Sequence, residues 1–114
     1  MSITYEDVAS DLRRIVISGR LDIPGTDSVA SQLTQLSAAP KKAVVVDLTR
    51  LNFLASIGIR ALITSAKEVQ KRGGKMALVV QKGSSVMMSL DATGVDELIP
   101  VFGNYADAEK VALA

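Results

Sequence analysis

The stretch FLASIGIRALI, Phe53 to Ile63, sets one small hydroxyl, Ser56, and one glycine, Gly58, at the start of what reads as a helix. A hydroxyl there has two uses. It can accept a hydrogen bond from a free backbone N–H as an N-cap, contributing about 1 kcal/mol. It can also stand as a phosphate acceptor beside the unneutralised N–H groups of a first helical turn, a geometry that favours anions. A capping box would place Glu or Gln three residues on, where Ile59 stands, and the first turn carries no acid. Gly58 costs about 1 kcal/mol relative to Ala inside a helix, so helix stability alone does not explain this choice of residues. A glycine beside the hydroxyl is expected to leave open space around it.

Other chemistry is narrowed by what the chain lacks. It contains no His and no Cys, which removes disulfides, thiolate metal sites, thiol nucleophiles, and the commonest metal ligand and general base. No catalytic residue, metal or cofactor is therefore expected, and the protein is not expected to be an enzyme. No G-x-S-x-G elbow exists, because Leu54 stands two residues before Ser56. Gly73, Gly74 and Lys75 look like part of a phosphate loop, but Met76 follows and the segment runs from helix to strand, so a helix C-cap is expected. Arg60, Lys67 and Lys71 line one side of a helix, as a solvated face or as a surface for an acidic partner. Asp22 in GRLD and Asp47 after the run AVVV suit turn-making and capping; they pair as carboxylates only if the fold joins them.

Thirteen basic and twelve acidic residues give a net charge of +1, without the positive field of a nucleic-acid-binding protein. No stretch approaches the roughly 20 apolar residues of a membrane span, and MSITYEDVAS lacks the basic and apolar regions of a secretory leader. Neither nucleic acid nor membrane is an expected partner, and the cytoplasm is the expected location. At 114 residues, with 48% hydrophobic and 22% charged, the chain suits a single domain spanning residues 1–114, its core built from Val, Ile, Leu, Met and Ala.

The elements that must position Ser56 follow from periodicity. Ser2 to Val8 and Leu12 to Ser18 form a hairpin around Ala9, Ser10 and Asp11. Val29, Leu33 and Leu36 recur at helical spacing after the Pro24–Gly25 break, and that helix is expected to end before Pro40. Ala43 to Leu48 is a continuous apolar run suited to a central strand, followed by a more polar loop from Thr49 to Asn52. Ile59, Leu62, Ile63, Ala66 and Val69 define a second helix from about Ile57 to Arg72, with Met76 to Val80 a buried strand. Strand, helix and strand make a right-handed parallel βαβ unit. Ser84 or Ser85 can cap a third helix that ends at Gly94, Leu98 to Phe102 supplies a small edge strand, and Asn104 caps a last helix. The expected fold is α/β (α+β), a mixed sheet of four to five strands with about four helices.

From Val44 to Val80, VVVDLTRLNFLASIGIRALITSAKEVQKRGGKMALVV resembles the core of the STAS domain, shared by bacterial anti-sigma factor antagonists and the cytoplasmic tails of sulfate transporters. GRLD, Gly19 to Asp22, is similar to the segment that precedes the family's first helix. The resemblance implies that Ser56 matches the phosphorylated serine of a D-S-[ST]-G-type motif, Gly58 the motif glycine, Asp47 the strand-end acid and Asp22 the acid of the GRLD segment. Ala55 stands where the family usually has Asp, and Ile57 at the second hydroxyl position. It further implies an antagonist that works by partner switching. The unphosphorylated form binds an anti-sigma factor that is itself a serine kinase, and a serine phosphatase reverses the modification. The surface implied for that partner comprises Asp22, Leu54, Ala55, Ser56, Ile57, Gly58, Ile59 and Arg60. The alternative is a STAS scaffold or ligand-binding module that is never phosphorylated, with Ser56 only a cap.

Overall fold

The computed structural model describes residues 2–38 and 42–114. An edge strand β1 (Ser2–Ala9) turns back antiparallel into β2 (Leu12–Leu21), and helix α1 (Ile23–Ala38) leads to β3 (Ala43–Leu54). Helix α2 (Ser56–Lys71) then leads to β4 (Lys75–Val79). After β4 come α3 (Ser85–Thr93), one 3-10 turn at Val95–Glu97, the two-residue β5 (Val101–Phe102) and α4 (Tyr105–Leu113). Five strands lie in the order β1-β2-β3-β4-β5, and every pairing after the first is parallel. The mixed sheet and four helices agree with the fold class expected from the sequence. Helix α1 is described as far as Ala38, and the expected stop before Pro40 falls at residues outside the described ones.

The sheet is covered unequally. Val44, Val46 and Leu48 point into a large core shared with Val29 and Leu33 of α1, Leu62 and Val69 of α2 and Leu90 of α3. Ala43 and Val45 point the other way, onto Ala108 and Ala112 of α4. That alternation is the period of two of a strand with both faces covered, and it explains the unbroken apolar run. Caps end the elements as their side chains allow. The Ser84 hydroxyl accepts from the Met87 amide at 3.1 Å, Asn104 accepts from Asp107 at 2.8 Å, and Gly94 closes α3 with φ 71°. Gly73, at φ 79°, likewise takes the chain out of α2, so the glycine pair is a helix stop.

The segment expected to be a loop, Thr49 to Asn52, belongs to β3, which continues to Leu54. Its register against β2 slips by one residue between Asp47 and Arg50, and again between Leu51 and Phe53. Each slip is a bulge that gives β3 one extra residue. In consequence the core-facing positions become Leu48, Leu51 and Leu54, three residues apart rather than two, a spacing that hides the strand from a period-two reading.

Asp47 is accordingly mid-strand and not at a strand end. It is only 6% exposed and faces α4. Its Oδ1 accepts the Thr49 amide at 2.8 Å and the Thr49 hydroxyl at 2.6 Å, which pins the first bulge. Its Oδ2 accepts the hydroxyl of Tyr105. Arg14 lies 4.1 Å over the Tyr105 ring and donates from Nε to Glu109 at 2.7 Å, tying β2 to the same helix. Burial, then the hydrogen bond to Asp47, push the Tyr105 phenol up to about 12.

Two outcomes follow for this contact. Tyr105→Phe leaves one oxygen of a buried carboxylate without its donor and is expected to cost about 1–3 kcal/mol in urea denaturation at neutral pH. Because the folded phenol titrates above its unfolded value, its stabilisation is complete below about pH 10 and is lost as pH rises towards 12. The parent should lose this increment across that window, and Tyr105→Phe should not.

Candidate functional site

The first turn of α2 is built against the end of β2. The Ala55 amide donates to the Leu21 carbonyl at 2.9 Å, which keeps Ala55 extended (φ −88°, ψ 166°) as the last residue before the helix. Ile59 then makes the first helical bond, back to the Ala55 carbonyl at 3.1 Å. The N-cap is therefore Ala55, which has no side-chain acceptor, and Ser56 is the first helical residue. The expected cap role of Ser56 is corrected by this one-residue offset. Its side chain is exposed, and among the described residues its hydroxyl has no hydrogen-bond partner.

Gly58 also has a different reason from the one expected. A Cβ there would lie 2.8 Å from Leu21 Cβ, 3.0 Å from Leu54 Cδ1 and 3.1 Å from the Leu21 carbonyl oxygen. Close approach of helix to strand, not open space around the hydroxyl, requires the glycine.

The residues expected to face a partner divide into two groups. Ser56 and Arg60 are exposed, and Asp22, Ala55 and Ile57 are half-buried. Leu54 and Ile59, 4% and 5% exposed, point into the core, and Gly58 is buried. These three therefore position the turn and offer no side chain to a partner. Exposed apolar side chains on the neighbouring elements are Phe53 at the end of β3 and Ile23 at the start of α1, while Ile57, next to Ser56 in the chain, is half-buried. The guanidinium of Arg20 lies 4.4 Å over the Phe53 ring. The exposure of Phe53 is not evident from the sequence, because the bulges that turn it outward leave no local signature.

Asp22 adjoins the turn through Leu21. Its Oδ1 accepts the Gly25 amide at 2.8 Å, closing the start of α1, and Arg20 donates to its Oδ2 at 3.4 Å. The Gly25 amide first, and Arg20 after it, hold the Asp22 carboxyl below its ordinary range. Gly25 is required here, since a Cβ would lie 1.9 Å from the Arg20 carbonyl oxygen. Asp22 and Asp47 do not pair, because Asp47 faces α4 on the opposite side of the sheet. Between α1 and α2 runs a groove of about 310 Å³ whose walls include Asp27, Thr34, Ile57 and Arg60.

Among the described residues no cluster of acidic side chains is arranged to hold a metal ion, and no helix is long and apolar enough to cross a membrane. What the site offers chemically is an exposed primary hydroxyl at the positive end of a sixteen-residue helix, with the half-buried Ala55 and Ile57 on either side of it in the chain.

A family model described as the STAS domain matches residues 7–108. A protein of Paenibacillus polymyxa described as an anti-sigma F factor antagonist is 28% identical over 93 residues, covering 81% of this chain and 79% of its own length. Among solved structures, an anti-sigma factor antagonist from Mycobacterium paratuberculosis is similar with a TM-score of 0.84 at 21% identity, covering 99% of this chain and 96% of its own. The Bacillus cell fate determinant SpoIIAA in its phosphorylated form is similar with a TM-score of 0.66 at 14% identity, covering 96% and 99%.

The contact of Gly58 with Leu21 sets an expectation. Gly58→Ala gains about 1 kcal/mol of helix propensity but forces an overpacked methyl against strand and backbone, a cost of about 1–3 kcal/mol. Equilibrium unfolding should show a net loss, whereas a gain in stability would mean that the turn has room to shift.

Proposed function

The chain belongs to the STAS domain family, and from that premise we propose that it is a non-catalytic anti-sigma factor antagonist that acts by partner switching through Ser56. Unmodified, it binds an anti-sigma factor that is also a serine kinase, and so releases a sigma factor. The kinase transfers the terminal phosphoryl group of a nucleoside triphosphate to Ser56 Oγ, the hydroxyl proton is lost and the diphosphate departs. Binding is thereby abolished until a serine phosphatase hydrolyses the ester. The observation that carries this reading is the exposed, unpartnered Ser56 hydroxyl on the first residue of α2, at the position where the family motif has its serine. The printed descriptions of the relatives as anti-sigma factor antagonists support the partner class.

Physical chemistry explains how such a modification switches binding without unfolding the chain. Phosphate adds about −1.5 to −2 charge. Within the domain that charge meets the positive end of α2 and water, because Ser56 is exposed and its hydroxyl holds no bond that phosphorylation would break. At an apolar interface that includes Ile57, next to Ser56 in the chain, the same charge must be stripped of water against apolar side chains, which is costly. The buried Leu54 and Ile59 contribute by holding the turn rigid, so the hydroxyl is presented in one place.

A second reading rests on Ala55. With no carboxylate beside the serine, the domain serves as an unphosphorylated STAS scaffold, and Ser56 is an exposed residue without a switching role.

Ser56→Ala should retain partner binding, and Ser56→Asp should weaken it at least tenfold, with both variants within about 0.5 kcal/mol of the parent in stability. Phosphate-affinity electrophoresis of the chain from its native cells should reveal a phosphoform that Ser56→Ala lacks. Persistent absence of that form, with Ser56→Asp binding as the parent does, favours the scaffold.

A further inference from the structure

We propose that Arg60 is the internal counter-charge for a phosphoryl group on Ser56, so that the modified domain stabilises its own dianion and does not rely on solvent alone. The inference rests on the reading of Ser56 as the modified residue. Both residues are exposed and both lie on α2, four positions apart. Side chains on a helix lean towards its N-terminus, which puts the turn carrying Ser56 within reach of an arginine at position 60, and Arg60 lines the groove between α1 and α2 together with Ile57. Cβ atoms at this spacing lie about 5–6 Å apart, and an anion N-terminal to a cation is the favourable order. Arginine suits the task, since its planar fork matches two phosphate oxygens at once.

Arg60 is also uncommitted. Arg13 and Arg14 are bonded to Asp7 and Glu109, Arg20 to Asp22, and Lys71 to Glu68. Among the described residues Arg60 has no such partner, and the first turn of α2 contains no acid. In the unmodified chain a cation near the positive end of a helix gains nothing from the dipole. A phosphoryl group on Ser56 supplies the missing negative charge. From α1 and the end of β2, which pack against this turn, the charged side chains are Asp27 and the Arg20–Asp22 pair. Asp27 lines the same groove as Arg60 without an ion pair to it. Arg50, on β3, acts on Tyr105 at the other face of the sheet.

The test uses the full chain with phosphoserine incorporated at position 56 during translation, so that no kinase is needed. A phosphorus NMR titration follows the second ionisation of the phosphate in this protein and in its Arg60→Gln, Arg60→Lys and Asp27→Asn variants. Arg60→Gln should raise the phosphate pKa by about 0.2–0.4 unit, Arg60→Lys by less, and Asp27→Asn should lower it slightly. Without phosphate, Arg60→Gln should leave the melting temperature unchanged. Coincident titration curves for the parent and Arg60→Gln overturn the proposal. Because the phosphate is installed genetically, that result is separate from whether cells modify Ser56 or whether a partner binds, which the electrophoresis and binding experiments report.

Discussion

The contact on which the site depends is the seating of the first turn of α2 on Leu21. No Cβ fits between Gly58 and that residue, and the Ala55 amide is bonded to the Leu21 carbonyl. With those two constraints met, the rotation of α2 about its axis is settled. Ile59 and Leu62 must turn into the core, and Ser56 and Arg60 must turn to solvent. A residue larger than glycine at position 58 would lift or rotate the turn and carry the hydroxyl with it. The exposure of Ser56 is thus a property of packing several residues away.

The two faces of the sheet divide the work. On one, three helices bury the large core that supplies most of the stability; on the other, the nine-residue α4 covers only part of the sheet and is held by Ala108, Ala112 and a polar cluster around Asp47. Hydrogen bonds and ring stacking link Asp47, Tyr105, Arg14 and Glu109, and they satisfy the carboxylate of Asp47, the buried member. Asp47 also holds Thr49 at the first bulge of β3. The bulges set the three-residue spacing that ends with Leu54 in the core and Phe53 outside. An acid on one face therefore helps to determine what the chain presents at the end of the strand.

Helices and caps were legible in the sequence because their signals are local. Ser84, Gly94 and Asn104 act where they stand, and the apolar spacing of α2 identifies its buried stripe. The length of β3 was not legible, since two bulges replace the period of two that strand recognition relies on. The turn at Ser56 was half legible. Its residues marked a helix start, but whether Ser56 or Ala55 is the cap depends on a hydrogen bond to Leu21, 34 positions earlier in the chain. The reason for Gly58 is hidden in the same way, since its close neighbours, Leu21 and Leu54, are set by the tertiary contact. Leu54 and Ile59 looked like partner-facing residues in a linear reading and are core residues in the fold.

In the proposed switch a phosphoryl group on Ser56 changes the surface and leaves the fold alone. Amide proton–nitrogen NMR maps of the unmodified and Ser56-phosphorylated chains test it most directly. Shifts are expected only at Leu21, Asp22 and the stretch from Phe53 to Ala61, with α4 and the Asp47–Tyr105 contact unmoved. Shifts spread across β4 and α4, or a loss of spectral dispersion, would contradict it.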